Sequence, residues 1–240
     1  MRKSTPRPTI KTLSEMTGFS IATISKALGN SPVVTEATRQ AIIEAAEKVG
    51  YQASLRGRSL RTGKSYQIAV LMPLSVAKSH EWNGVEHAEI LAGIVEGLEG
   101  SPYRIAVHLV RDTEDSIGTV RSIVEGHLAD GLIFSGILAD DPRIAFLTER
   151  GFPFVTLGRS HSARGHAFVD IDSDWAAHAA TRRLIEGGHQ RIALVNPEPS
   201  LAYSLDRIAG YSRALSEAGL PADPALIASG DLTTKHGKAA

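Results

Sequence analysis

The chain has 240 residues, 42% of them hydrophobic, which allows one or two compact units with a real core and a small appendage. It has no cysteine, which excludes disulfides, thiol nucleophiles, iron–sulfur clusters and cysteine zinc sites and fits a reducing compartment. The net charge of zero hides an asymmetry: residues 1–64 hold 11 Lys and Arg against 4 Glu, a net of +7, and the remainder is −7. A basic head on an acidic body points to a polyanion partner for the head alone.

Residues 1–8 carry Pro6 and Pro8 and read as a loose arm. Thr9 can cap a short helix, Ile10–Met16, that Gly18 ends. Ser20 can cap a second helix, Ile21–Leu28, and Gly29-Asn30-Ser31-Pro32 breaks the chain after it. Thr35 can cap a third helix running to about Val49, with Ile42, Ile43, Ala46 and Val49 inward and Gly50 closing it. Residues 1–51 therefore form a three-helix unit. Residues 52–64 are polar and basic and link it to the body.

From Tyr66 the pattern changes. Apolar, β-rich runs at Gln67–Met72, Arg104–Val110, Gly131–Phe134 and Phe154–Leu157 alternate with helical stretches near Glu86–Leu98, Thr113–His127 and Pro142–Arg150. Continuous apolar strands alternating with helices predict a parallel sheet covered on both faces. The pattern restarts after Val169 with a helix Asp174–Glu186, a strand Arg191–Val195, a helix Ser204–Ala218 and a short run Ala225–Ala228. The fold class is an all-α head followed by a two-lobed α/β body, the lobes being 65–170 and 171–240 and the second incomplete. No apolar run approaches the ~18–20 residues of a membrane span, and no apolar stretch follows the basic residues of 1–11. No signal peptide is expected, and the expected address is the cytoplasm.

Two short helices joined by a tight turn, with a small residue before it and Gly within it, are the helix-turn-helix pattern. Ser14 is the small residue, Gly18 the turn and Ile24 the apolar anchor; an ordinary helical hairpin is the plainer alternative. In a major groove, the outward residues Ile21, Ala22 and Lys26 would face base edges. Lys26 would donate to guanine, and Ile21 and Ala22 would touch thymine methyls. The hydroxyls of Ser20, Thr23 and Ser25, and the amide end of the helix at Thr9, suit phosphate oxygens.

The segment from Thr9 to Tyr51, TIKTLSEMTGFSIATISKALGNSPVVTEATRQAIIEAAEKVGY, closely resembles the head of the lactose-repressor/galactose-repressor (LacI/GalR) family of bacterial transcription regulators. The resemblance continues through SLRTGKSYQIAVLMP, GGHQRIALVNP and RIAGYSRAL and covers essentially the whole chain. It implies a homodimer, a head on a palindromic DNA operator, a hinge helix, and a body resembling periplasmic sugar-binding proteins with a small effector between its lobes. It also implies further strands beyond Ala240. Two positions depart from the family: Lys26 where Arg is common, and Gly29 where Asn is common. Lys is a point donor rather than a fork, so operator preference should differ.

Residues Ser54–Arg61 could form one short helix, too short to be stable alone and weakened by Gly57. The resemblance implies that such a hinge folds against its partner's hinge and the minor groove, with Leu60 wedged between base steps and Arg56, Arg58 and Arg61 along the groove. The plain alternative is a basic linker.

In a doubly wound lobe, ligands sit outside the C-terminal ends of the strands. Met72-Pro73-Leu74-Ser75, Ser135-Gly136, Gly158-Arg159 and Asn196-Pro197 fall there. The resemblance matches Arg207 to the family's effector-binding arginine and places Ser135 and Arg159 at the cleft, with Asp172 at the crossover between lobes. Trp175 is expected to be buried in its helix rather than stacked on a sugar.

No cofactor is expected: the phosphate loops of dinucleotide and nucleotide sites, and a nucleophile elbow, are all missing. His80, Glu81, Glu86 and His87 lack the spacing of a helical zinc pair, so no metal is expected. Asp112, Asp115, Asp140 and Asp141 read as loop or cap residues. The expected function is a sequence-specific DNA-binding regulator, a repressor controlled by a sugar or glycoside, and not an enzyme. The rivals are a shortened DNA-binding form without effector response and an α/β enzyme with a fused helical head.

Overall fold

The computed structural model describes residues 8–51, 57, 59, 62–73, 84–110, 116–162, 165–231 and 233–240, with the backbone alone for 84–86. Internal contacts divide the chain into two units, Met1–Lys64 and Ser65–Ala240.

In the first unit, helices α1 (Ile10–Thr17), α2 (Ile21–Leu28) and α3 (Glu36–Val49) each start on a hydroxyl cap. Thr9, Ser20 and Thr35 accept from the backbone N–H of Thr12, Thr23 and Thr38. These satisfy amides that the first turn leaves without partners. Helices α1 and α3 end on Gly18 and Gly50 with φ of 72° and 66°, a conformation that a Cβ disfavours. The five buried residues Leu13, Ile24, Ala27, Ile42 and Ala46 form the core, with Ile10, Phe19, Val34 and Tyr51 packed around it. Ile24 is fully buried, as expected of the anchor.

In the second unit, β1 (Gln67–Pro73), α4 (Gly84–Gly97), β2 (Arg104–Val110), α5 (Ser116–Glu125), β3 (Gly131–Phe134), α6 (Pro142–Glu149), β4 (Phe154–Leu157) and β5 (Ala167–Val169) follow in order. The five strands form one parallel sheet in the order β2-β1-β3-β4-β5. The order reverses at β1, so crossovers pass over both faces. Leu71, Val120, Ile123, Leu132, Phe134, Ile144 and Leu147 fill the core.

After the crossover come α7 (Ser173–Glu186), β6 (Leu194–Pro197), α8 (Ala202–Glu217), a 3-10 turn at Pro224–Leu226, β7 (Ile227–Gly230) and α9 (Thr234–Ala239). Strands β6 and β7 pair in parallel as a separate two-stranded sheet. Helices α7 and α8 approach so closely at Gly210 that a Cβ there would lie 2.0 Å from the Asp174 carbonyl. Tyr211 is 1% exposed and donates its hydroxyl to the Ile192 carbonyl at 2.8 Å.

The expected strand Arg191–Val195 is displaced: the ladder runs Leu194–Pro197, and the apolar Ile192 instead packs under Tyr211. Trp175 is 65% exposed, correcting its expected burial, because the α7–α8 contact uses a different face of α7. Strand β5 and helix α9 have no counterpart among the expected elements. Among the described residues no helix is long and apolar enough to cross a membrane.

Candidate nucleic-acid interface and effector niche

The turn between α1 and α2 is tied by side chains. Ser14 donates its hydroxyl to the Phe19 carbonyl at 2.7 Å, Thr17 donates to the Leu13 carbonyl at 2.7 Å, and the Gly18 N–H donates to the Ser14 carbonyl at 3.0 Å. Together they fix the angle at which α2 leaves the turn. Burial of Ile24 and Ala27 on one side leaves Ile21, Ala22 and Lys26 exposed on the other. Ala22, Ser25, Lys26, Gly29 and Ser31 line one open surface groove. Lys26 therefore stands exposed on the face of α2 away from the core.

The Ser20 hydroxyl accepts from the Thr23 N–H at 3.1 Å and lies 2.8 Å from the Thr23 hydroxyl. One of the two hydroxyl hydrogens bridges them, and the other is left over from this pair. Thr9 is engaged differently. It caps α1, accepting from the Thr12 N–H at 3.3 Å and donating its own N–H to the Thr12 hydroxyl at 3.2 Å.

Sequence reasoning missed Arg39 on α3. Its guanidinium donates to the carbonyls of Ala27 at 3.3 Å, Ser31 at 3.0 Å and Val34 at 3.3 Å, and to the Asn30 side-chain oxygen at 2.5 Å. The side chain is 12% exposed. In the expected hinge, Gly57, Ser59 and Thr62 are helical and the Gly63 N–H donates to the Ser59 carbonyl at 2.8 Å. Arg56, Arg58, Leu60 and Arg61 lie outside the described residues.

In the body, the loops after β3 and β4 meet the start of α8. Gly136, Ile137, Leu157, Gly158, Arg159, Asp170, Ala202 and Tyr203 line a niche of about 30 Å³, room for one water. Gly158 has φ of 103°, and a Cβ would lie 3.2 Å from Ile137 Cγ1, so both backbone and space call for glycine. Arg159 pairs with Asp170 at 3.3 Å. Arg207 does not line the niche; its guanidinium lies 4.9 Å from the centre of the ring of Tyr203, which does.

Ser135 and Asp172 do not line the niche. The Ser135 carbonyl accepts from Arg143 at 3.4 Å, while Asp172 caps α7 by accepting from the Trp175 N–H at 2.9 Å. The acid at the niche is Asp170. Its position just after a three-residue strand with no buried face left no periodic signal. Leu74 and Ser75 lie outside the described residues.

Two buried assemblies hold the niche loops. Arg143, 1% exposed, donates through Nε and Nη2 to both oxygens of Asp141, at 2.9 and 2.6 Å. It also donates to the Ser116 hydroxyl at 3.1 Å and to the Gly136 carbonyl at 2.8 Å. Asp141 caps α6, as expected, and also accepts from the Leu138 N–H at 3.1 Å. In the second assembly, Thr156 donates to the Gly158 carbonyl at 2.5 Å, so its hydroxyl accepts from His166 Nε2 at 2.9 Å. His166 stacks on Phe154 with ring centres 5.4 Å apart, and its buried Nδ1 has no partner. Burial pushes the imidazole below its ordinary pKa, against the opposite pull of the Asp141 carboxylate.

No group of three or more His, Asp or Glu able to hold a metal occurs among the described residues. His80, Glu81, Asp112 and Asp115 lie outside them.

Two family models match the chain: "Bacterial regulatory proteins, lacI family" over residues 9–54, and "Periplasmic binding proteins and sugar binding domain of LacI family" over 67–240. The transcriptional regulator AglR of Rhizobium meliloti is 35% identical over 229 residues, 95% of this chain and 63% of its own length. The chain thus spans a little under two thirds of that relative. A solved structure described as a transcriptional regulator CelR–cellobiose complex is 27% identical, covers 98% of this chain and 69% of the other, and superposes with a TM-score of 0.59. The lac repressor dimer bound to operator and an anti-inducer shares the fold at 20% identity, with a TM-score of 0.76 over 97% of this chain and 68% of that one. These relatives are regulators and give no support to the enzyme alternative. With a matched head, a matched body and the same order of elements, the chain belongs to the LacI family of bacterial regulatory proteins.

Proposed function

We propose that the protein is a cytoplasmic homodimeric repressor whose head reads a palindromic operator and whose affinity for it is set by a sugar or glycoside bound at the body niche. The observation that carries the reading is the face of α2. Ile21, Ala22 and Lys26 are exposed, Ala22 and Lys26 along one groove, while Ile24 and Ala27 anchor the helix from behind. Insertion of α2 into the major groove places Lys26 against guanine, with Ile21 and Ala22 near thymine methyls. Ser20, Thr23 and Ser25 take phosphates, as does the N-terminal end of α1 at Thr9. Leu60 and Arg56 act in the minor groove.

In the body, Arg159 and Arg207 supply planar donors suited to sugar hydroxyls and Asp170 supplies the acceptor, with Ser135, just after β3, and Asp172, at the cap of α7, as further polar groups for the same ligand. Occupation of the niche shifts α8 against the β3 and β4 loops, which changes where the hinges start. Such coupling is on the order of 1–3 kcal/mol and must be reciprocal.

Selection of bound fragments from genomic DNA tests the reading. Enrichment of two-fold symmetric sites supports it, and binding without preference over scrambled duplexes refutes it. Leu60→Ala should weaken specific binding far more than non-specific binding; equal losses would remove the wedge.

A second reading, a DNA-binding form without effector response, has one observation in its favour. The niche admits a water, so a sugar must displace Tyr203 or open the Arg159–Asp170 pair. Calorimetry with cellobiose and other glycosides separates the two readings, since heat of binding that Arg207→Ala abolishes supports effector control.

A further inference from the structure

The +7 charge of the head suggests that its arginines serve phosphates, yet Arg39 does not. Four acceptors from the C-terminal end of α2 and the turn after it converge on its guanidinium: the carbonyls of Ala27, Ser31 and Val34 and the side-chain oxygen of Asn30. Glu36 adds an ion pair at 3.2 Å. With its donors engaged and only 12% of the side chain exposed, Arg39 has little left for DNA.

Backbone bonds close the turn, from Asn30 N–H to the Ala27 carbonyl at 3.1 Å and from Val34 N–H to the Ser31 carbonyl at 3.3 Å, and Arg39 ties their carbonyls to α3. Asn30 sits at φ 56°, in the left-handed region that a Cβ disfavours, and the bond from Arg39 holds its side chain there. The Ser31 N–H folds back onto the Lys26 carbonyl at 2.9 Å, so the turn closes beneath Lys26. Gly29 and Ser31 then form the wall of the groove in which Lys26 stands. A Cβ at Gly29 would press to 3.1 Å from the Ser25 carbonyl, so the wall fits closely against the helix. Three converging carbonyls and an amide oxygen, four acceptors in all, suit a planar fork and cannot all be met by the three donors of an ammonium.

We infer that Arg39 is a positioning residue for base discrimination: it braces the Gly29–Ser31 wall and thereby the Lys26 side chain, and it contributes no phosphate contact. The inference rests on the reading that α2 enters the major groove.

The test is selection from a pool of random 20-bp duplexes, followed by salt titration of binding to the enriched duplex and to a scrambled one. The wild-type chain, Lys26→Ala, Arg39→Lys, Arg39→Gln and Asn30→Gly are compared, with circular dichroism reporting head folding. Arg39→Lys keeps the charge and loses the fork. It should flatten base preference at the positions lost in Lys26→Ala and lower the specific-to-scrambled ratio about tenfold. The slope of log affinity against log salt should not change. Asn30→Gly tolerates the left-handed turn unaided but loses one anchor, so it should retain most of the ratio. If Arg39 holds a phosphate, Arg39→Gln lowers the salt slope by about 0.9, which overturns the inference. If Arg39 merely stabilises the head, enriched and scrambled affinities fall together with the folded fraction, which also overturns it. If the wild-type chain itself enriches no duplex, the major-groove reading fails, an outcome distinct from an Arg39→Lys profile identical to wild type.

Discussion

Replacement of Arg143 by Met tests how the body holds its niche. Arg143 and Asp141 are 1% and 2% exposed, and two guanidinium nitrogens meet both carboxylate oxygens. Methionine fills much of the same volume but leaves the Asp141 carboxylate with backbone N–H donors from Leu138 and residue 143 alone. It also removes the donors held by the Ser116 hydroxyl and the Gly136 carbonyl. Breaking a buried pair on one side costs about 3–5 kcal/mol. In a unit the size of residues 65–240 each kcal/mol moves the midpoint by about 2–4 °C, so the body transition should drop by roughly 6–20 °C. Differential scanning calorimetry reads the transition, and circular dichroism confirms that the sheet has formed. Asp141→Leu combined with Arg143→Met removes the stranded charge and should recover at least half of the loss, short of the α6 cap worth about 1 kcal/mol. A single-variant drop of less than 3 °C, or a double variant less stable than Arg143→Met, would refute the reasoning.

Gly158→Ala forces a side chain into φ 103° against Ile137 and should cost about 1–3 kcal/mol, seen as a lower body midpoint together with lost effector heat in calorimetry. Burial lowers the His166 pKa in the folded body below the unfolded value of 6.5. The stability it contributes is full above that value and is lost as pH falls through 6.5 toward the folded pKa. The body midpoint should therefore fall between pH 7.5 and 5.5, and His166→Phe, which keeps the stack on Phe154, should lessen the fall; unchanged slopes would contradict this. Ser14→Ala removes the bond to the Phe19 carbonyl and should destabilise the head by about 1 kcal/mol, seen as a lower head midpoint while the body transition stays in place.

The head was legible because its signals are local. Hydroxyl caps at Thr9, Ser20 and Thr35 and glycines at Gly18 and Gly50 each mark a helix end, and α2 spans Ile21–Leu28 as expected. Strands β2, β3 and β4 match their runs because each is rich in branched and aromatic apolar residues, although the edge strand β2 leaves Val107 and Leu109 exposed where both faces were expected to be covered. Strand β5 was not legible. Its three residues are exposed, and it exists through pairing with Val155–Leu157 rather than through any pattern of its own. Arg143 and Arg39 were missed for a related reason. A charged side chain reads as surface, and only the folded chain brings carbonyls from distant turns around a guanidinium. At the niche, Arg159 falls at the end of β4, where the strand pattern put it, and Arg207 does not line the niche but stacks on Tyr203, whereas Asp170 and Tyr203 emerge only when the crossover and α8 meet.

The most direct trial of the account is to map which base pairs the head discriminates. In competition binding on enriched duplexes, Lys26→Ala should erase the preference for a single guanine–cytosine pair in each half-site, and Lys26→Arg should sharpen it. Specific sites should be bound at least about a thousandfold more tightly than random DNA. An identical preference profile for Lys26→Ala and the wild-type chain would contradict the placement of α2 in the major groove.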